Sequence, residues 1–125
     1  AILADDMQIQ LVVLYLVRNA IEAMQDADDA PRELLLRTAP LDTGTVLATV
    51  RDTGPGFSPE ALERLFQPFF TTKSGGIGLG LSVSRSLIES QGGQLWATPN
   101  QPDRGVSFHF SLPVYTHYRQ SPVPA

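Results

Sequence analysis

Apolar residues recur on a helical period from Met7 to about Gln25, at Ile9, Leu11, Val12, Leu16, Ala20, Ala23 and Met24. This spacing predicts one long amphipathic helix. Asp5 and Asp6 stand at its start, where carboxylates cap free N–H groups and suit the helix dipole. DADDAP, ending in Pro31, closes it. Two strand patterns follow, ELLLRTA and TVLATVRD, separated by the turn-like PLDTG. DTGPGFS is a tight loop, and Ser58-Pro59-Glu60 is a helix start that opens PEALERLF. FQPFFTTKSGGIGLG has no period. Leu79 to about Gln91 is a second amphipathic helix, closed by Gly92-Gly93 in the position of a left-handed cap. QLWAT and VSFHFSL form a hairpin pair joined by PNQPDRG. In the last strand Val106, Phe108, Phe110 and Leu112 alternate with Ser107, His109 and Ser111, so the apolar set should face the helices. The order of elements predicts an α+β fold, a sandwich with helices over one face of a sheet.

Composition narrows the function without naming it. A chain of 125 residues with 42% apolar content is one soluble domain with a sizeable core. A net charge of −4 argues against a broad nucleic-acid-binding face, yet permits a small anionic ligand held locally. The absence of cysteine excludes disulfides and thiolate metal sites and suits a reducing compartment. The longest apolar run, LVVLYLV, is too short to cross a bilayer, and no secretory signal is visible, so a cytoplasmic domain is expected. The opening AILADD reads as mid-domain, cut from a longer protein; residues 114–125 read as a flexible tail after a domain at 1–113.

Glycine-rich helix starts bring backbone N–H groups close to anions. Gly75, Gly76, Gly78 and Gly80 crowd such a start, but neither familiar phosphate loop fits. A P-loop needs Lys and then Ser or Thr after the last glycine, and Leu81-Ser82 stands there. A dinucleotide loop needs different spacing and a preceding strand, which FFTTK is not. A flexible loop with no ligand is the plain alternative.

Three polar or aromatic features fit the pattern less well. Asn19 is a poor helix former amid good ones, with Glu22 three residues on. The two are either a solvent-facing pair or hard oxygen ligands for Mg²⁺. Asp52-Thr53-Gly54-Pro55-Gly56 is a strand-ending turn. It could also present a carboxylate to an exocyclic amine, which adenine has and guanine replaces with a carbonyl at that position. Phe66, Phe69 and Phe70 are expected as core anchors, and Lys73 is either solvated or a phosphate partner.

Taken in order, these features resemble the catalytic, ATP-binding domain of sensor histidine kinases, within the wider superfamily that includes gyrase and MutL. NAIEAM is similar to the N box, DTGPGF to the G1 box, FQPFFTTK to the F box and GIGLGLS to the G2 box. The resemblance runs from about Asp5 to Pro113, and the short lid looks closest to those of the oxygen-sensing and nitrogen-regulatory kinases. It implies the Bergerat fold, a two-layer sandwich with a mixed sheet covered on one face by helices and a short glycine-rich ATP lid. Asn19 would then bind Mg²⁺, with Arg18, Glu22 and Ala23 lining the same pocket and Glu22 a lesser metal ligand. Asp52 would read the adenine amine, with Gly54, Gly56 and Phe57 shaping that end. Thr72, Lys73, Gly76, Gly78, Leu79, Gly80 and Leu81 would form the lid and phosphate cradle, with Lys73 beside Asn19 in catalysis.

The implied reaction moves the γ-phosphoryl group of ATP to a histidine on a separate dimerisation domain, and from there to a response-regulator aspartate. The isolated domain would be a monomer and the full protein a homodimer, with its membrane attachment left open. His109 and His117 are expected to be structural or solvated, so the acceptor lies outside this chain. One position departs from the family: Tyr15 stands where many members carry a second Asn, one helical turn before Asn19. Tyrosine is a poor base near neutral pH, which disfavours gyrase-like hydrolysis. A nucleotide-sensing or docking module without transfer is the alternative that Tyr15 suggests.

Overall fold

The computed structural model describes residues 6–25, 32–70, 80–101 and 104–113. Its elements are α1 (Asp6–Gln25), β1 (Leu34–Asp42), β2 (Thr45–Asp52), α2 (Pro59–Arg64), α3 (Gly80–Ser90), β3 (Gln94–Pro99) and β4 (Val106–Pro113). Local chemistry sets the boundaries. The Ser58 hydroxyl accepts from the Ala61 N–H at 3.1 Å, and Pro59 opens α2 behind that cap. At the other end of α3 the Gly93 N–H reaches the Ile88 carbonyl and the Gly92 N–H that of Glu89, both at 3.0 Å. With Gly92 at φ +85°, this is the left-handed cap the sequence predicts. Between β1 and β2 the Asp42 carboxylate accepts from the Gly44 N–H at 2.8 Å and turns the chain back.

The strands form one sheet in the order β1-β2-β4-β3, every pair antiparallel. The α+β sandwich is thus as expected, but the sheet is not mixed. β2 and β3 do point the same way, but β4 folds back from β3 and inserts between them. A parallel relation therefore exists only across one strand, without a parallel ladder.

Register fixes the two faces of the sheet. Val50, Phe108 and Ala97 lie in one row across β2, β4 and β3, and Ala48, Phe110 and Leu95 in another. These rows meet Val12, Leu16 and Ala20 of α1 and Ile88 of α3 in a single core. Fully burying a side chain such as Leu16 or Phe108 stabilises the fold by about 1.5–3 kcal/mol each. The opposite face carries Thr49, His109 and Trp96 in one row. The His109 ring is bonded to Thr49 Oγ1 at 3.0 Å and to Thr98 Oγ1 at 2.8 Å, and it stacks on Trp96. Burial holds its pKa below the ordinary value. His109 is therefore structural, as expected; His117 and the tail lie outside the described residues.

The Phe cluster divides. Phe66 packs edge-on against Phe108 at 6.4 Å under the Arg85 guanidinium, and Phe70 packs on the core beside Arg64. Phe69 is no anchor: it is 71% exposed and held at φ +69°. Pro68 before it is exposed too, and only Phe70 after it turns toward the core. Among the described residues no helix is long and apolar enough to cross a membrane.

Candidate functional site

The predicted residues gather along one strip of α1. Tyr15, Asn19 and Ala23 are four residues apart and so share one face of the helix. At the Ala23 end lies the loop that leaves β2. A Cβ on Gly54 would stand 3.3 Å from the Ala23 backbone and side chain and 3.2 Å from Asp52 Oδ1. That close approach joins Ala23, Gly54 and Asp52 into one wall. Thr53 fastens it, with its hydroxyl donating to Met24 Sδ at 3.6 Å and accepting from the Glu33 N–H at 3.0 Å.

Asp52 is 1% exposed. Its carboxylate accepts from the Gly54 N–H at 2.9 Å and from the backbone of Val106. Burial pushes its pKa above the ordinary carboxylate range, and these two bonds only partly offset that. The backbone beneath it is held by residues that sequence reasoning missed. Asn100 Nδ2 donates to the Asp52 carbonyl at 2.8 Å and to the Arg104 carbonyl at 3.1 Å. Ser107 Oγ donates to Asn100 Oδ1 at 2.6 Å. Asn100 looks like any residue of a polar turn, and its partner Asp52 is far away in sequence, so no local signal marks it.

Asn19 is 7% exposed, and its amide has no hydrogen-bond partner among the described residues. No buried side-chain N or O atom among the described residues lacks a partner, so the unpaired amide is open to the surface of the strip, where a ligand could reach it. The Glu22 carboxylate accepts from Arg18 Nε at 3.2 Å, at a largely solvated pair. Among the described residues no group of three or more acidic or histidine side chains could hold a metal ion by itself. One amide oxygen suits Mg²⁺ only where phosphate oxygens complete its shell.

Gly80 opens α3 and lies directly against the Tyr15 ring, while Leu81 packs on the core. Thr72, Lys73, Gly76, Gly78 and Leu79 fall outside the described residues. Gly56, at φ +77°, and Phe57 line a cavity of about 170 Å³ with Leu62, Asn100, Arg104 and Val106. No α1 residue lines that cavity, which adjoins the Asp52 end of the strip through Gly105 and Val106 and is smaller than ordinary ligand pockets.

The strip thus runs from Gly80, past Tyr15, Asn19 and Ala23, to Gly54 and Asp52. Eight residues of helix rise separate Tyr15 from Ala23, about 12 Å. An elongated ligand with a basic edge and an anionic end would lie along it, its amine at the buried carboxylate and its anion at the N-terminal end of α3.

Known proteins are similar to this chain in sequence and in fold. The chain is 47% identical over 113 residues to the Sensor protein FixL of Bradyrhizobium diazoefficiens, which covers 90% of this chain and 22% of that protein. It therefore spans about a fifth of that relative. Full-length ShkA, solved in complex with AMPPNP, superposes with a TM-score of 0.75 at 32% identity, over 89% of this chain and 22% of that one. The histidine kinase ThkA, solved in complex with the response regulator TrrA, superposes with a TM-score of 0.70 at 34% identity, over 88% of this chain and 29% of that one. The model of the histidine kinase-, DNA gyrase B-, and HSP90-like ATPase family matches residues 4–116, and the chain belongs to that family.

Proposed function

We propose that the domain binds Mg-ATP along the α1 strip and transfers its γ-phosphoryl group to a histidine on a separate dimerisation domain of the full protein. A response-regulator receiver domain then takes the phosphoryl group. The observation that carries this reading is the single strip joining a buried carboxylate, an unpartnered Asn amide and a glycine-opened helix. The AMPPNP complex of ShkA and the response-regulator complex of ThkA support it.

Phosphoryl transfer asks a protein mainly for positioning and charge neutralisation. Asp52 accepts from the adenine amine and so fixes the base. Ala23 and Gly54 form the wall beside it. Asn19 Oδ1 would face the metal, and Mg²⁺ would there neutralise the charge of the phosphates. The N–H groups at the start of α3 face the phosphates, with Thr72, Lys73, Gly76, Gly78 and Leu79 completing the cradle. The acceptor imidazole in this reading comes from outside the chain, and the place of His109 on the far face of the sheet, away from α1, supports it.

Hydrolysis of the gyrase kind is disfavoured. Burial raises the Tyr15 pKa, Glu22 raises it further and Arg18 only partly offsets them, so the phenol stays protonated and does not act as a base.

Asn19→Ala is expected to weaken ATP binding by about tenfold in the presence of Mg²⁺ and little in its absence. Calorimetric titration with and without EDTA checks this, and equal loss in both conditions would contradict the metal role. The raised pKa of Asp52 gives a second expectation. The carboxylate accepts only when ionised, so ATP affinity should fall as pH drops through this raised value, earlier than an ordinary Asp would allow. Stability should move the other way. A folded pKa above the unfolded one makes the contribution of Asp52 greatest below the unfolded value, and that contribution is lost as pH rises through the folded value. Titration and denaturant unfolding between pH 4 and 8 would show both trends, and Asp52→Asn should flatten both.

A further inference from the structure

We infer that Tyr15 is a positioning residue of the nucleotide site, whose ring seats the first residue of α3 against α1, so that a side chain at position 80 would have to displace the ring. The inference rests on the nucleotide reading above and adds a role for the one residue that departs from the family pattern. A Cβ built on Gly80 would lie 2.0 Å from Cζ, 2.2 Å from Cε1 and 2.2 Å from Oη of Tyr15. Real Cβ atoms do not come so close to other heavy atoms. Yet Gly80 is not at positive φ, and its helical backbone would suit any residue. A side chain at position 80 would have to push the far end of the Tyr15 ring out of this seat.

The consequence for the site is geometric. Tyr15 lies one turn before Asn19 on the same face of α1, and Gly80 is the residue whose N–H begins α3. Ring against bare Cα sets how far the N-terminal end of α3 stands from the Asn19 amide, which is the spacing the phosphates and their metal must span. The Tyr15 hydroxyl has no hydrogen-bond partner among the described residues, so it is the body of the ring that holds the two helices at this distance. The base end of the strip, at Asp52 and Gly54, lies two helical turns away. Its recognition of a nucleoside should not depend on this contact.

The test compares ATP with adenosine, each titrated into the 125-residue chain by calorimetry or ligand-detected NMR. Gly80→Ala should lower ATP affinity by about tenfold or more and leave adenosine within about threefold of the natural protein. Tyr15→Ala should relieve the clash, so that adding Gly80→Ala to it costs nothing further in ATP affinity or in thermal midpoint. Tyr15→Phe keeps the ring and should retain the natural ratio of ATP to adenosine affinity. An unchanged ratio in Gly80→Ala, or no relief by Tyr15→Ala, would overturn the inference. Loss in Tyr15→Phe equal to that in Tyr15→Ala would overturn it too, by assigning the effect to the hydroxyl. Should Gly80→Ala alone not fold, recovery of folding and ATP binding in the double variant still supports the inference, and its failure contradicts it. Absence of both ATP and adenosine binding in the natural, folded chain would instead contradict the nucleotide reading itself.

Discussion

Gly105→Ala is expected to lower the unfolding free energy by roughly 2–5 kcal/mol, the largest stability loss of any single methyl added near the site. Two independent effects act at this position. Gly105 is held at φ +96°, where an L side chain crowds its own backbone and costs about 1–2 kcal/mol. Its Cβ would also fall 2.1 Å from the Asp52 carbonyl oxygen and 3.0 Å from Asp52 Oδ1. A flexible side chain could swing aside, but this carbonyl cannot. It accepts from Asn100, and Asn100 in turn is fixed by Ser107 and by its own N–H on the Gly105 carbonyl. Overpacking against such a group adds about 1–3 kcal/mol. Gly44→Ala is the matched control, since the nearest atom to its Cβ is Asp42 Oδ1 at an ordinary 3.8 Å. Denaturant midpoints with unchanged slopes would measure both. A Gly105→Ala midpoint equal to that of Gly44→Ala would mean that the turn before β4 does not sit on the end of β2.

Asp52→Ala is expected to reduce ATP affinity by about ten- to a hundredfold, the value of one charge-assisted hydrogen bond of roughly 1.5–3 kcal/mol. This variant also removes the acceptor of the Gly54 N–H, so part of the loss could come from a loosened loop. Asp52→Asn separates the two. The amide keeps the volume and an oxygen for Gly54, but loses the charge that the adenine amine needs and offers a donor in its place. Equal loss in both variants, with unchanged unfolding midpoints for Asp52→Asn, assigns the effect to base recognition. Unchanged ATP affinity in Asp52→Asn would move the adenine elsewhere.

Much of this was legible in the sequence because it depends on local rules. The period of α1, the Ser58 cap, the Gly92 stop and the alternation of Val106 through Leu112 each follow from chemistry within a few residues. The positions of Asn19 and Asp52 were legible for a different reason, the resemblance of their boxes to a family with a known order. What the sequence did not reveal depends on distant parts of the chain. The place of β4 between β2 and β3 is decided by which edges remain free once the helices are laid down, and no short window carries that. Phe69 points outward because the segment around it has no period, so its neighbours say nothing about its face. Asn100 and Ser107 read as turn and strand polar residues, although together they hold the backbone of Asp52. Tyr15 was visible as a departure from a pattern, but its contact with Gly80 joins residues from two helices far apart in the chain.

The central claim, that a buried carboxylate and a near-buried Asn amide at two points of one helix-lined strip bind Mg-ATP, is tested most directly by calorimetry. The 125-residue chain is titrated with ATP and then GTP, each with and without Mg²⁺. The account predicts that ATP binds, that Mg²⁺ tightens it, and that GTP binds at least about tenfold more weakly because it presents a carbonyl where Asp52 needs an amine. Equal affinity for the two nucleotides, or no binding of ATP by a folded sample, would contradict it.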